Sequence, residues 1–505
     1  MITITRKSIV LLTASMVLVS GLFGGCSSKK AEPGKADVKQ EKPVEISVFT
    51  EFNTAEPPTD DNPVLKEFEK KTNTKIKVNW TSANNYKDKT NVILASGDMP
   101  DLMKVQDFSN SLMQEMASKG AFWDLEPYLK DYKSLMEYPK EVYNKVKIGG
   151  KQYALPSVRP TEGYSFVNIR RDWLNNLNMK MPTNMDELYN VLYAFTYNDP
   201  DKNGKNDTIG HTSRGLWNMY DSFTGAAGTG AGRFKEVNGK LVNMELDPVV
   251  NEALTWLNKV YKNKLLPEDW AVMKDTQGED LAKAGKAGVS GDTIEGIFRS
   301  TAEARKIDPK ADFEPVVSLN GYVPKASGFG GMYFIPKQSV KEDKVKKILS
   351  LMDYGASDEG FTLACYGIKG VHYNEDSSGF KTTTDQALKD SVSQSSFGKI
   401  FERFDKYLWA YRTGMDKPTF DRNKKIIDEI AKVSVPDRTI GLISQTDLKF
   451  GADYEKKSKD LKTKIIMGIE PISAWNKYVE TLKADTNYMK IIEEYNAAFA
   501  EKNKK

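Results

Sequence analysis

Apolar and polar positions alternate in two rhythms along most of this chain. Glu45 to Thr50 (EISVFT) reads as a β-strand, and Pro63 to Lys71 carries the wider spacing of an amphipathic helix, with proline in a favourable first-turn position. Lys75 to Trp80 (KIKVNW) returns to period two and predicts a second strand. Tyr86 to Ala95 predicts a second helix, stopped by Gly97, and Asp101 to Val105 a short third strand. Strands alternating with helices predict an α/β fold with a mainly parallel sheet covered on both faces. Ligands of such sheets lie beyond the carboxyl ends of the strands. That rule selects Glu51, Phe52, Asn53, Ser82, Asn84, Gln106 and Asp107.

The amino terminus follows neither rhythm. Arg6 and Lys7 precede an apolar run from Ser8 to Phe23, which ends in Gly24, Gly25 and Cys26. The run is shorter than the roughly 20 residues of a permanent membrane helix, and a polar segment follows it. A secretory signal over residues 1–25, cleaved before Cys26, is expected. The site resembles that of bacterial lipoproteins, although Phe23 stands where leucine is usual. The resemblance implies a thioether-linked diacyl group and an amine-linked acyl chain on Cys26, which together would hold the protein on the outer face of the cell membrane. Simple secretion, with Cys26 an incidental thiol, is the alternative. Residues 26–43 are rich in Lys, Glu, Ser, Gly and Pro and cannot bury enough surface to fold. As a flexible tether they would reach on the order of 20 Å.

Composition narrows the function classes. The chain of 505 residues carries 73 Lys and Arg against 69 Asp and Glu, a net charge of +4, with the signs interspersed. No basic block marks a nucleic-acid partner. Two cysteines occur, and with Cys26 lipidated Cys365 has no partner, so no disulfide framework is expected. Cys365 reads as a small buried apolar residue. No second membrane span and no internal repeat is visible.

The ordered series EISVFT, helix, KIKVNW, LASGDMPDLMKV, GAFWDLEPYLKDY and IGGKQYALP resembles the amino-terminal lobe of the family 1 extracellular solute-binding proteins, the sugar receptors of ABC importers. Ser96 to Asp101 matches the family's GDxPDL turn, and Gly149 to Pro156 its strand entering the first hinge. Asn168 to Leu174 and Pro182 to Leu188 fit the opening of the second lobe. Leu281 to Val289 and Ile472 to Leu482 fit a late segment and the carboxyl-terminal helix. The resemblance extends to the large oligosaccharide-binding lipoproteins, the alginate-binding type among them. It implies a two-lobed periplasmic-binding-protein type II fold, each lobe a mainly parallel sheet flanked by helices. The expected division is residues 44–157 with about 300–370 in the first lobe, and 158–299 with about 371–505 in the second. Crossovers are expected near Ala154 to Pro160, between Asp292 and Ser327, and near Gly367 to Tyr373. A monomeric receptor that closes on an oligosaccharide and delivers it to a permease is implied. Such a tethered receptor suits a bacterium without an outer membrane.

One local motif bears on that subgroup. Asp199, Asp201, Asn203, the carbonyl of Lys205 and Asp207 fall at positions 1, 3, 5, 7 and 9 of an EF-hand-like loop, with Gly204 at the sharp turn. Hard oxygens at alternate positions suit a structural calcium ion. Gly210 stands at position 12 in place of the usual bidentate glutamate, and Thr208 stands at position 10. The alternative is an Asx-rich turn between two helices.

A sugar ring asks for flat aromatic faces edged by polar groups, and the chain supplies 8 Trp and 23 Tyr. Trp217, Trp270 and Trp409 are the stacking candidates, each with core packing as the alternative. Trp173 and Trp475 sit in helical patterns and read as packing residues. Position near the expected hinges adds Tyr164, Asp292 and Tyr333, the last at the end of a glycine-rich stretch. Arg159, Glu162 and Arg412 would suit either a uronate carboxylate or surface ion pairs. An oligopeptide or amino-acid receptor and a tethered polysaccharide-degrading enzyme are the rival readings. Against the enzyme, the only histidines are His211 and His372, and neither a GxSxG elbow nor a phosphate-cradling loop occurs.

Overall fold

The computed structural model describes residues 42–54, 56–108, 110–163, 166–227, 233–412 and 414–503. Cys26, residues 27–41 of the tether and Tyr164 lie outside the described residues. Among those described, no helix is long and apolar enough to cross a membrane.

The first lobe is built on a five-stranded sheet in the order Thr74–Ser82, Val44–Phe52, Leu102–Val105, Phe329–Phe334, Ala154–Val158. Period-two alternation sends successive side chains to opposite faces, and here both faces are buried. Ile46 and Val48 enter one apolar cluster with Leu102, Leu155 and Tyr333. Phe49 enters another with Met103, Val105, Met332 and Phe334. The helix Pro63–Thr72 begins where the sequence says it must: the Asn62 side chain accepts from the Val64 N–H at 2.9 Å, and Pro63 occupies the first turn. Its Phe68 ring stacks on Phe401 with centroids 3.9 Å apart. The helix Tyr86–Ser96 ends at Gly97, as expected.

The second lobe carries a four-stranded sheet in the order Phe313–Pro315, Phe166–Arg170, Ala287–Asp292, Ile209–His211. Parallel pairing is less complete than the alternation predicts. In the second sheet only Ile209–His211 and Ala287–Asp292 pair parallel, while Phe166–Arg170 runs antiparallel to both its neighbours. In the first sheet Phe329–Phe334 is the antiparallel strand. Both reversed strands enter directly from the other lobe. Without a crossover helix to carry the chain back, they run against their neighbours.

Two crossovers are short: the chain leaves Ala154–Val158 through residues 159–163 and enters the second sheet at Phe166, and residues 316–328 return it. The strand Phe313–Pro315 still belongs to the second sheet, so the first lobe resumes near Phe329, later than the expected residue 300. The third passage also lies further on than Gly367 to Tyr373. Ala387, Val392, Phe397, Ile400, Phe401, Leu408 and Trp409 all pack into the first lobe's core. Gly367, which resembles a hinge in sequence, ends the helix Asp358–Tyr366 at φ +81°, and the His372 ring stands 2.6 Å from where its Cβ would be. It is a packed turn.

Candidate functional site

Two clusters of buried charge lie where the lobes meet. On the first lobe, Glu51 stands at the carboxyl end of Val44–Phe52, and Lys104 on the neighbouring strand brings its Nζ to 3.2 Å from Glu51 Oε1 and 3.7 Å from Glu402 Oε1. Arg159, just past Ala154–Val158, places Nη2 2.7 Å from Glu402, which also accepts from the Ser157 hydroxyl at 2.8 Å. Lys399 completes the group, its Nζ 3.7 Å from Glu51. Burial alone would raise the Glu51 carboxyl, but Lys104, Lys399 and Arg159 outweigh it and hold it at about 2.

On the second lobe, Asp292 ends the strand Ala287–Asp292, and Arg214 follows Ile209–His211. Arg214 Nη1 lies 2.5 Å from Asp292 and 3.6 Å from Glu279. Arg299 Nε lies 2.5 Å from Glu279, and its Nη2 3.7 Å from Asp292. The approach depends on two glycines. A Cβ on Gly291 would stand 2.6 Å from the Cα of Gly215, itself at φ +77°, and the Gly291 N–H donates to the Arg214 carbonyl at 2.8 Å. Burial raises the Asp292 carboxyl in spite of Arg214 and Arg299. Glu295 pairs with Arg412. Burial opposes its ionisation, but Arg412, Arg299 and Lys399 prevail and lower its pKa. Lys399 on one lobe thus acts on Glu295 on the other.

The structure therefore gathers Glu51, Asp292 and Arg412 from the expected residues. Tyr333 is fully buried beneath the first cluster, its hydroxyl donating to the Lys399 carbonyl. Beyond the first sheet Asn53 is exposed on a loop, Asn84 is exposed in the single helical turn Ala83–Asn85, and Asp107 is half-buried. Trp217, on the helix Leu216–Thr224, is half-buried and lies edge-on to Tyr220 with centroids 5.9 Å apart. Trp270 and Trp409 pack in the cores of the second and first lobes, each 7% exposed. Glu162 is buried, with Lys325 at 3.5 Å.

Such a constellation, at the carboxyl ends of strands from two sheets joined by short crossovers, suits capture of a polar solute. The bacterial extracellular solute-binding protein family matches residues 53–360. The chain belongs to that family. It is 29% identical over 503 residues to the polygalacturonan/rhamnogalacturonan-binding protein YtcQ of Bacillus subtilis strain 168, covering 97% of this chain and 98% of the relative. Lipoprotein LipO of the same strain is 31% identical over 473 residues, covering 90% of this chain and 91% of LipO. Among solved structures, alginate-binding protein AlgQ2 without calcium ion shares the two-lobed fold, with a TM-score of 0.68 and 20% identity over 91% of this chain and 99% of that one.

In this solute-binding protein the calcium-like loop is closed by hydrogen bonds. Asp199 accepts from the N–H groups of Asn203 at 3.0 Å and Gly204 at 3.1 Å, and the Asn203 amide donates to Asp201 at 2.8 Å and Asp207 at 3.2 Å. Lys286 Nζ lies 2.6 Å from Asp207. Burial, a hydrogen bond with Asp199 and the field of Asp207 raise the Asp201 carboxyl, a strain that a cation would relieve. The donors fit calcium in kind. Among the described residues, however, no group of three or more His, Cys, Asp or Glu side chains is arranged to hold a metal. A side chain at position 210 has no room, since a Cβ there would meet the Leu192 carbonyl oxygen at 2.6 Å.

Both histidines serve packing. His211 is buried, its Nδ1 accepting from the Ser213 N–H at 2.9 Å, and burial lowers its pKa to about 3. His372 accepts from the Ile368 N–H at 2.9 Å and lies 3.0 Å from Asp390. Cys365 is buried and its thiol pKa is pushed up by burial.

Sequence reasoning missed Lys104, Lys399, Glu402, Glu279, Glu295 and Arg299 as a set. One signal was available. Lys104 sits inside Leu102–Val105, a strand otherwise wholly apolar and buried, and a lysine there demands a partner.

Proposed function

We propose that this protein captures an oligosaccharide between its lobes and presents it to the permease of an ABC importer. The observation that carries the reading is the pair of facing charged clusters at the strand ends of two lobes, in a chain of this family. The relatives YtcQ and AlgQ2 are described as binding polysaccharides, which supports a carbohydrate over a peptide. Ligand contacts made by both lobes would favour the closed form, with residues 159–163 and 316–328 as hinges. No covalent step is required. Calorimetry with a panel of oligosaccharides and peptides tests this: saturable sugar binding without product formation is expected, and turnover of the sugar, or binding of peptides alone, overturns it.

Anchorage through Cys26 belongs to the same proposal, supported by the signal-like sequence and by a relative described as a lipoprotein. Mass spectrometry of membrane-bound protein should find an acyl adduct that Cys26→Ala abolishes, releasing the chain. Calcium in the Asp199–Asp207 loop is the third element. Binding would require the Asn203 amide to turn and Lys286 to leave Asp207. A chelator should then lower the melting temperature and added Ca²⁺ restore it, whereas an unchanged melting temperature removes the metal.

A further inference from the structure

Both clusters share a layering that capture of a generic sugar leaves unexplained. Lys104, with no accessible side-chain surface, is fixed between Glu51 and Glu402; among the remaining members carboxylates lie deepest and cations outermost. The side chains of Glu51 and Glu402 keep 2% and 3% of their accessible surface, against 10% for Arg159 and 19% for Lys399. On the second lobe Asp292 and Glu279 keep 8% and 10%, against 20% for Arg214 and 27% for Arg299. A group entering between the lobes meets ammonium and guanidinium tips, with the carboxylates fixing them from behind.

Lys399 is the most telling of these. Its backbone is held from the first sheet, the carbonyl accepting from the Tyr333 hydroxyl and, at 3.4 Å, from Lys104 Nζ. Its ammonium has Glu51 Oε1 at 3.7 Å, but that same oxygen lies 3.2 Å from Lys104. One carboxylate oxygen shared between two ammonium groups leaves positive charge uncompensated in a largely dehydrated place, which is costly unless a further anion arrives. Burial lowers the Lys399 pKa to about 8, with Glu51 and Glu295 opposing and Arg159 and Lys104 adding to the fall.

We infer that the oligosaccharide bound between the lobes carries carboxylates, as chains of uronic acid do, and that Lys399 receives one of them. The inference rests on the receptor reading above and names the chemistry of its ligand. A neutral sugar would bring hydroxyls but no counter-charge to a site whose cations Lys104, Arg159, Lys399, Arg214, Arg299 and Arg412 outnumber its carboxylates Glu51, Glu402, Glu279, Asp292 and Glu295. A carboxylate brings the counter-charge together with charge-assisted hydrogen bonds, the stronger kind.

The test is calorimetric titration of the purified protein with short oligomers of galacturonate, mannuronate and guluronate, each beside its fully methyl-esterified form, and with neutral oligosaccharides. At least one acid oligomer should bind ten-fold or more tighter than its ester, and Lys399→Met should bring that ratio near unity while Lys399→Arg keeps part of it. The advantage of the acid should also fade as pH rises through about 8, as Lys399 loses its proton. The charged groups facing it are Glu51, Lys104, Arg159 and Glu295, of which the two carboxyls are held low and the Arg159 guanidinium is held high. Esters or neutral sugars that bind as well as the acids overturn the inference and leave the receptor reading intact, as does an acid advantage that survives Lys399→Met. Failure of every sugar to bind overturns both.

Discussion

Lys104 has no accessible side-chain surface, and two carboxylates depend on it. Its replacement by methionine fills the same volume with an apolar chain but leaves Glu51 and Glu402 with fewer counter-charges in a dry place. The expected cost is about 3–5 kcal/mol, read from chemical denaturation at neutral pH. A loss below about 1 kcal/mol would mean that Arg159 and Lys399 compensate by themselves. Glu51 makes a second prediction, in acid. Its carboxyl ionises at about 2 in the fold against 4.5 ordinarily, so the folded state holds the charged form more strongly than the unfolded chain does. That contribution is complete above pH 4.5 and disappears as pH falls toward 2, a loss of roughly 3 kcal/mol across the window. Glu51→Gln should flatten this part of the stability-versus-pH curve. A curve of unchanged slope would show that other carboxylates govern the acid limb.

Elements whose signals are local were legible in the sequence. Pro63 marks a helix start, and Gly97 marks a helix end, because each acts on backbone groups within one turn. Asn62→Ala should cost about 1–2 kcal/mol, since the side chain both caps Val64 and donates to the Asp390 carbonyl at 2.7 Å. A smaller shift in denaturation midpoint would mean that Pro63 alone fixes the helix start. The segment leading into Asp292 was legible only as a likeness to the family, neither as the strand Ala287–Asp292 nor with its glycine as a device. Gly291→Ala should push the segment around Gly215 away and separate Arg214 from Asp292, lowering stability by about 1–3 kcal/mol and weakening ligand binding together. What the sequence hid is the candidate site. Lys399 and Glu402 lie in a stretch with neither strand nor helix periodicity, and their partners at positions 51, 104 and 159 come from distant strand ends. The tryptophans misdirected for a physical reason: large rings attract burial, and Trp270 and Trp409 went to the cores.

For the molecule as a whole, the proposed capture turns on how the facing clusters weight open and closed arrangements of the lobes. Glu295 is the group through which the second lobe answers the cations opposite, being paired with Arg412 and held in the field of Arg299 and Lys399. Glu295→Lys would set a like charge against all three, at separations where the dry boundary screens little. The substitution lies in the first turn of the helix Ile294–Ala304, where loss of an acidic side chain costs little by itself. Secondary structure by circular dichroism should therefore persist, while ligand affinity falls and small-angle scattering finds a larger radius of gyration in the liganded sample than for the parent protein. Salt should narrow the difference between the two, since added ions screen the repulsion but not the hinge. If Glu295→Lys binds and compacts as the parent does, the charge across the boundary does not govern closure, and the hinge segments 159–163 and 316–328 set the equilibrium unaided.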